Sequence, residues 1–506
     1  MSSKPVAELP VNSFAMEVED LVKPTGFREY DARWWFGHPN SDVPPELNLN
    51  GVRALGLGIA TVMHELGVEP DIVTGHDYRS YSASIKMALI NGLMSGGCRV
   101  RDIGLALSPM AYYAQFALEC PAVAMVTASH NENGWTGVKM GADRPLTFGP
   151  DEMGRLRDIV LAGQGVSRAG GSLEIIDDFK KTYVEHLTDR PTINRPLKVV
   201  AACGNGTAGA FAPEVLRGAG CEVIELDCEL DFTFPRYNPN PEDMQMLSAV
   251  REAVLQHGAD VGLAFDGDGD RCGVVDNEGE EIFADKVGVM LARDIASTMD
   301  NARFVVDVKS TGLFASDPEL RELGAETVYW KTGHSYIKRH VKHENAIAGF
   351  EKSGHYFFNP PIGLGYDDGL VSALAVCDML DRNPDKSMAD LRRALPTTYG
   401  SPTMSPKCPD ETKYDVVAAV QERIEAVAAS GGHFAGQAIE SLVTVNGIRV
   451  VNEDGTWGLV RASSNKPELV VVVESPVSDA RMREMFAAID AELRQHSDVG
   501  AYNQTI

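Results

Sequence analysis

Asp266-Gly-Asp-Gly-Asp-Arg271 places three carboxylates at every second residue, and the glycines between them let the backbone fold tightly and bring the oxygens together. Such a cluster calls for a cation. Oxygen-only ligands favour Mg2+ or Ca2+ over zinc, and three protein ligands leave positions open for a phosphate oxygen. A second candidate is the adjacent pair Ser129-His130, where the apolar run Ala122-Val-Ala-Met-Val126 ends in a polar loop that runs on to Gly134. A hydroxyl nucleophile at a strand's end suits group transfer, although a Ser-His pair in a loop is more often ordinary turn chemistry. A third polar loop, Glu351-Lys-Ser-Gly-His355, follows Ala346-Ile-Ala-Gly-Phe350.

Each motif has competing readings. The aspartates also fit a plain acidic turn. An EF-hand starts similarly, but Arg271 stands where its glycine belongs and Asn277 where its bidentate glutamate belongs, so a calcium sensor fails on both positions. An aspartyl-phosphate enzyme of the haloacid-dehalogenase type would use Asp266 as nucleophile and Asp268 as acid/base; Asp270, in place of the usual Thr or Val, weakens that reading. Gly204-Asn-Gly-Thr-Ala-Gly209, with Glu225 and Asp227 further on, satisfies the dinucleotide fingerprint on paper and equally fits a closely packed strand-to-helix turn.

The elements that must position these loops follow from hydrophobic pattern. Short apolar runs (Asp71–Gly75, Leu197–Ala202, Phe304–Val308) alternate with helical periodicity such as Leu247–Gln256, the α/β signature. Three such units each presenting one loop predict a shared cleft beyond strand carboxyl ends. Turn-rich segments near 190 and 400 suggest boundaries, giving domains 1–190, 191–300, 301–400 and 401–506. The last, with a helical stretch (Tyr414–Ala429), alternating runs (Ser441–Val451), an apolar strand (Leu469–Glu474) and a terminal helix (Ser478–Arg494), reads as a small α+β domain.

A net charge of −26 argues against nucleic acid and anionic membrane surfaces, so an anionic ligand needs a local basic pocket. There is no signal-peptide pattern and no apolar run long enough to span a bilayer, which predicts a cytoplasmic protein. Eight scattered cysteines at no zinc spacing predict reduced thiols.

Thr127-Ala-Ser-His-Asn131, Asp266–Arg271, Glu351–His355 and Arg461-Ala-Ser-Ser-Asn-Lys-Pro467, taken together and in this order, resemble the α-D-phosphohexomutase family, specifically its phosphomannomutase/phosphoglucomutase branch. The resemblance runs from about Phe27 to the end of the chain. It implies three similar α/β domains with mixed sheets around a central cleft plus a C-terminal α+β domain. It also implies interconversion of hexose 6-phosphate and hexose 1-phosphate (mannose, glucose or both) through a phosphoserine and a hexose 1,6-bisphosphate intermediate, with Mg2+. The resemblance makes Ser129 the phosphoserine and a metal ligand beside Asp266, Asp268 and Asp270, with His130 and Arg271 as neighbours. Tyr30, Arg33, Lys309, Glu351, Ser353, His355, Arg461, Ser463, Ser464, Asn465 and Lys466 fall on substrate positions. Lys139 and His334 are the candidates for proton transfer, because a lysine in a cationic pocket has a lowered pKa and histidine titrates near neutrality. Lys139 also fits a purely electrostatic phosphate contact.

The family pattern is departed from at Glu132 (often proline), Trp34 and Phe350 (both often glycine). The Ser-Ser-Asn-Lys-Pro loop differs from the Ser-Gly-Thr-Glu-Pro of the phosphoglucosamine branch, which stays as the alternative beside a non-catalytic sugar-phosphate binding protein. The expected partners are small sugar phosphates, and the expected state is monomer or homodimer. The C-terminal domain is expected to move as a lid.

Overall fold

The computed structural model describes residues 4–464 and 466–506. Contacts divide the chain into two units, Met1–Phe283 with Ser353–Ala389, and Ala284–Lys352 with Asp390–Ile506.

In the first unit, β1 (Ala32–Trp35), β2 (Asp71–His76), β3 (Arg99–Leu105), β4 (Ala122–Val126), β5 (Trp135–Gly141) and β6 (Ser172–Ile175) form a sheet in the order β1-β5-β4-β2-β3-β6. β4, β2, β3 and β6 run parallel, while β5 and β1 add antiparallel at one edge. All five residues of β4 are buried, as a parallel strand covered on both faces requires. Trp34, one of the departures, is buried and donates from Nε1 to the Lys23 carbonyl (2.8 Å). Gly26 makes room for it, because a Cβ there would lie 1.9 Å from the indole nitrogen.

A second mixed sheet, β11-β10-β9-β7-β8, contains β7 (Lys198–Ala202), β8 (Glu222–Leu226), β9 (Val261–Phe265), β10 (Cys272–Asp276) and β11 (Glu281–Ile282). β9 and β10 pair antiparallel with Phe265 opposite Cys272, so Asp266–Arg271 closes a hairpin.

The second unit opens with the helix Ala284–Ala296 and continues with β12 (Arg303–Asp307), β13 (Glu326–Trp330) and β14 (Ala348–Phe350), the three strands all parallel. Phe350 lies buried against Phe304 and Phe314. The chain then returns to the first unit with β15 (Tyr356–Phe358) and the helix Gly369–Arg382. Asp368 caps that helix from the amides of Leu370 and Val371 and accepts from Tyr183 Oη at 2.7 Å. Burial pushes the Asp368 carboxyl up to about 6.

The remaining strands, β16 (Tyr399–Gly400), β17 (His433–Phe434), β18 (Gln437–Val443), β19 (Ile448–Asn452), β20 (Trp457–Ala462) and β21 (Leu469–Ser475), form an antiparallel sheet in the order β16-β21-β20-β19-β18-β17. The helices Lys413–Ala429 and Asp479–Leu493 contribute Val420, Ile424, Met485 and Ile489 to a core shared with Val460, Val471 and Val473. Ser478 caps the last helix by accepting from the Arg481 amide. This is a four-domain α/β architecture with mixed sheets and a C-terminal α+β domain, the fold class the sequence predicts.

Candidate active site

Ser129 stands in the loop that leaves β4, buried, with φ of 51° in the left-handed region. A residue other than glycine rarely holds that conformation, so the surroundings must impose it. Asp77, just past β2, accepts from Thr127 Oγ1 (2.9 Å), the Ala128 amide (3.2 Å) and Ser82 Oγ (2.5 Å), and is ion-paired with Arg79. Arg79 in turn donates to the carbonyls of Ser129 (3.1 Å) and Asn131 (2.6 Å). Arg33 adds bonds to the Ala128 carbonyl and Asn131 Oδ1, and is oriented by Asp31. Asp77 and Arg79 escaped the sequence reading. The signal that could have found them is a charged pair directly after the apolar run of β2.

The aspartate hairpin meets this loop closely. A Cβ at Gly267 would lie 2.4 Å from the Ser129 carbonyl oxygen, so the approach of the two backbones requires glycine. Ser129 Oγ donates to Asp266 Oδ2 (3.0 Å) and lies 3.2 Å from His130 Nδ1. Asp266 Oδ1 accepts from the amides of Asp270 and Arg271, and Asp268 Oδ2 accepts from Ser108 Oγ (2.6 Å). Lys139, on β5, donates to Asp268 Oδ2 (2.7 Å) and to Asp270.

The three carboxylates are fully buried, with ligand oxygens within 4.8 Å of one another. Asp268 Oδ1 and Asp270 Oδ1 have no hydrogen-bond partner among the described residues, so the donor set fits a hard divalent cation. Arg271 donates from Nε to Asp266 (3.2 Å) and from Nη1 to Glu242 (3.3 Å), while its Nη2 is buried with no partner among the described residues. A buried guanidinium nitrogen so placed suits an anion.

Charge crowding shapes the titration. Burial, reinforced by Asp270 and Asp268, pushes the Asp266 carboxyl up to about 7. Burial pushes Asp268 in the same direction, but Lys139 and Ser108 outweigh it and hold that carboxyl far below the ordinary range. For Lys139, burial works against the ammonium, yet Asp268 and Asp270 raise its pKa well above normal. The expectation of a lowered lysine pKa in a cationic pocket is therefore corrected, because the nearest neighbours of this lysine are carboxylates. Burial, with Arg271 and Arg33, holds His130 well below its usual value, so its ring is neutral at physiological pH.

Of the predicted sugar loop, Ser353 and His355 belong to the first unit. His355 bridges to Arg271 through the backbone, and its Nδ1 lies 3.0 Å from Asp367 Oδ2 and 3.6 Å from Asp270 Oδ1. Tyr30 is buried in the same unit. The glycine-rich Gly204–Gly209 segment lies under the aspartate hairpin. There the Thr207 amide donates to the Gly267 carbonyl (3.2 Å) and Thr207 Oγ1 accepts from the Tyr78 amide. Glu225 and Asp227 are already paired, with Arg217 and Arg236. The segment's polar groups are thus used for packing, which removes the basis of a dinucleotide site.

In the second unit the parallel strands β12, β13 and β14 deliver Lys309, His334 and Glu351 at their carboxyl ends, where open α/β sheets bind ligands. Asp307, also missed in sequence, organises this edge. It accepts from Ser310 Oγ (2.5 Å), Thr332 Oγ1 (3.0 Å) and the Lys352 amide (3.2 Å), and sits 3.7 Å from Lys309 Nζ. Glu351 Oε1 accepts from the Gly333 amide (2.6 Å), one residue before the buried His334 that starts the helix His334–His343.

Arg461, on β20, donates to Asn446 Oδ1 (2.8 Å) and Ser464 Oγ (3.1 Å). The same Asn446 oxygen accepts from the Thr332 amide (3.2 Å), joining the Arg461 loop to the β13 end. Lys413 holds the carbonyls of Ser463 (2.5 Å) and Lys466 (3.1 Å). Asn465 lies outside the described residues.

Comparison with known proteins fits this construction. The descriptions phosphoglucomutase/phosphomannomutase alpha/beta/alpha domain I, II and III match residues 25–165, 181–279 and 283–399, and that of the C-terminal domain matches 407–492. A phosphomannomutase/phosphoglucomutase of Pseudomonas syringae pv. tomato is 33% identical, covering 94% of this chain and 97% of that protein. A phosphoglucomutase of Neisseria gonorrhoeae is 32% identical over 92% of this chain and 96% of its own. Among solved structures, a phosphoglucomutase/phosphomannomutase family protein of Burkholderia thailandensis superposes with a TM-score of 0.83 at 28% identity, covering 96% of this chain and 100% of that one.

Fold and relatives together define an enzyme of the mutase class, an intramolecular phosphotransferase. The chain belongs to the phosphoglucomutase/phosphomannomutase family.

Proposed function

We propose that this enzyme interconverts hexose 6-phosphate and hexose 1-phosphate, of mannose, glucose or both, through phosphorylated Ser129 and a hexose 1,6-bisphosphate intermediate. The observation that carries the reading is the meeting of Ser129 Oγ with the buried carboxylates of Asp266, Asp268 and Asp270 beside Arg271 Nη2, which has no partner among the described residues. A bare serine needs neither; a phosphoserine carrying close to two negative charges needs both.

Mg2+ is the cation this donor set would take, held by the three aspartates with Ser129, and it would neutralise the phosphoserine and polarise the transferring group. Arg271 and Lys139 bind and orient the phosphoryl oxygens. The substrate hydroxyl attacks phosphorus; its new P–O bond forms as the bond to Ser129 Oγ breaks, and the hydroxyl proton passes to an acceptor. Reversal at the sugar's other position returns the phosphoryl group to Ser129 and yields the isomer, with no water consumed. Lys139, kept charged by Asp268 and Asp270, serves electrostatically, which leaves proton transfer to His334.

Tyr30, Arg33, Lys309, Glu351, Ser353 and His355 bind the sugar phosphate, while Arg461, Ser463, Ser464, Asn465 and Lys466 grip its distal phosphate. The enzyme works in the cytoplasm, a location supported by eight free, buried cysteines and by the lack of any helix, among the described residues, long and apolar enough to cross a membrane.

The test is a coupled assay with mannose 1-phosphate and glucose 1-phosphate in the presence of glucose 1,6-bisphosphate, alongside intact mass. Turnover with a phosphate adduct that disappears in Ser129→Ala is expected. Adduct without turnover, on either sugar, would defeat the proposal.

A further inference from the structure

The helix His334–His343 carries polar chemistry at its far end that mutase activity does not use. One ring nitrogen each from His340 and His343 and a carboxylate oxygen of Glu344 lie within 4.8 Å of one another. His340 Nε2 is 3.8 Å, and His343 Nδ1 3.0 Å, from the same Glu344 Oε1. Spacings of three and four residues put all three side chains on one helix face, and the helix C-terminus favours positive charge.

Two of the three donors are held in place by neighbours. The His340 ring is largely buried and stacks flat on Trp330, the last residue of β13, with centroids 3.6 Å apart and planes 3° off parallel. Glu344 is anchored through its other oxygen by Arg303 Nη1 (2.9 Å), which leaves Oε1 facing the imidazoles. His343 is exposed and lies over His340 with centroids 5.6 Å apart.

We propose that His340, His343 and Glu344 form a binding site for a divalent transition metal of the zinc, nickel or copper class, chemically distinct from the all-oxygen aspartate site. Two imidazoles and one carboxylate are a borderline-soft set that discriminates against Mg2+, and three ligands leave coordination open to water. Trp330 and Arg303 act as the outer supports that orient a ring and a carboxylate.

The test uses the full-length protein in excess Mg2+, titrated with Zn2+ by calorimetry. One Zn2+ per chain is expected, retained in Asp268→Asn and lost in His343→Asn. Because His343 is exposed, that variant should fold and keep its Mg2+-dependent turnover. Cu2+ should quench tryptophan fluorescence, with the quenched fraction removed by Trp330→Phe. Zn2+ uptake that persists in His343→Asn, or that vanishes in Asp268→Asn instead, would overturn the site.

Discussion

The serine–aspartate region of the first unit and the Arg461 loop of the second both gather charge at strand ends, yet they are built on opposite plans. Around Ser129 each polar group is fixed by a buried neighbour, from Asp77 and Arg79 beneath the loop to Gly267 pressed against its carbonyl. Around Arg461, two lysine-held carbonyls and one asparagine do the positioning, Ser464 is half-buried and Lys466 is exposed. Preorganised charge in a water-poor setting suits the place where bonds change, because nothing need reorganise during reaction. On the proposed mechanism, a phosphate grip that releases and re-engages a turning intermediate gains from the looser plan.

That contrast is sharpest at Ser129 Oγ, the proposed phosphoryl carrier. Ser129→Ala should reduce kcat by on the order of 10^4-fold or more while leaving the unfolding transition nearly unchanged. Near-normal turnover in that variant would erase the distinction between the two regions.

The second unit should depend on a different anchor for its stability. Glu474 on β21 takes hydrogen bonds from Lys286, Thr311, Thr398, the Gly312 amide and Trp457. Burial works against its charge, but Lys286 prevails and lowers its pKa from 4.5 to about 2. A carboxyl depressed in the folded state stabilises fully above its unfolded pKa, and that contribution is lost as pH falls from 4.5 toward about 2. Glu474→Gln should therefore cost ~3 kcal/mol near neutrality in denaturant titration, with the difference from wild type shrinking in acid.

Arg79→Lys keeps the charge but loses the fork that holds Asp77 through Nη1 while Nη2 donates to two carbonyls, so kcat should fall about 10²-fold with KM little changed, the signature of a misplaced nucleophile. Arg461→Ala should do the reverse, raising KM about tenfold and sparing kcat once substrate is saturating. An unchanged KM would remove the grip from the Arg461 loop.

The last effect, confined to the metal-free protein, concerns Asp266. Its carboxyl is raised to about 7, so without divalent cation its ionisation costs stability as pH rises from 3.8 to about 7. The metal-free protein should gain thermal stability relative to Asp266→Asn as pH falls through that window, and Mg2+ should abolish the trend.

Local pattern made much of the molecule readable. The run Ala122–Val126 is strand β4 as marked, and the expected helix Tyr414–Ala429 is Lys413–Ala429. Ala346–Phe350 shortens to Ala348–Phe350, and Ser441–Val451 resolves into parts of β18 and β19, because alternation does not mark where a turn falls. The aspartate hairpin announced itself through composition. Asp77, Arg79, Asp307, Asn446 and Lys413 did not, since each matters through partners brought near only by folding; Asn446 touches Thr332, over a hundred residues away. The Lys139 error has the same origin, because sequence showed the basic residues of the pocket without showing that two carboxylates stand closest to this one.

One feature of the chain's path bears on how the protein is made. The first unit contains residues 353–389, which emerge from the ribosome only after 284–352 of the other unit. The returning segment supplies His355 beside Asp270, Asp368 to Tyr183, and Asp378 and Asp381 to Arg190 and to the Asn194 and Arg195 amides. A nascent chain stalled near residue 300 would hold both the serine and the aspartates and still lack the helix that closes their support. Fragment expression cut at that point should give protease-sensitive, inactive protein, so competence arrives late in synthesis, with the closing of a spatial loop instead of the completion of a linear domain.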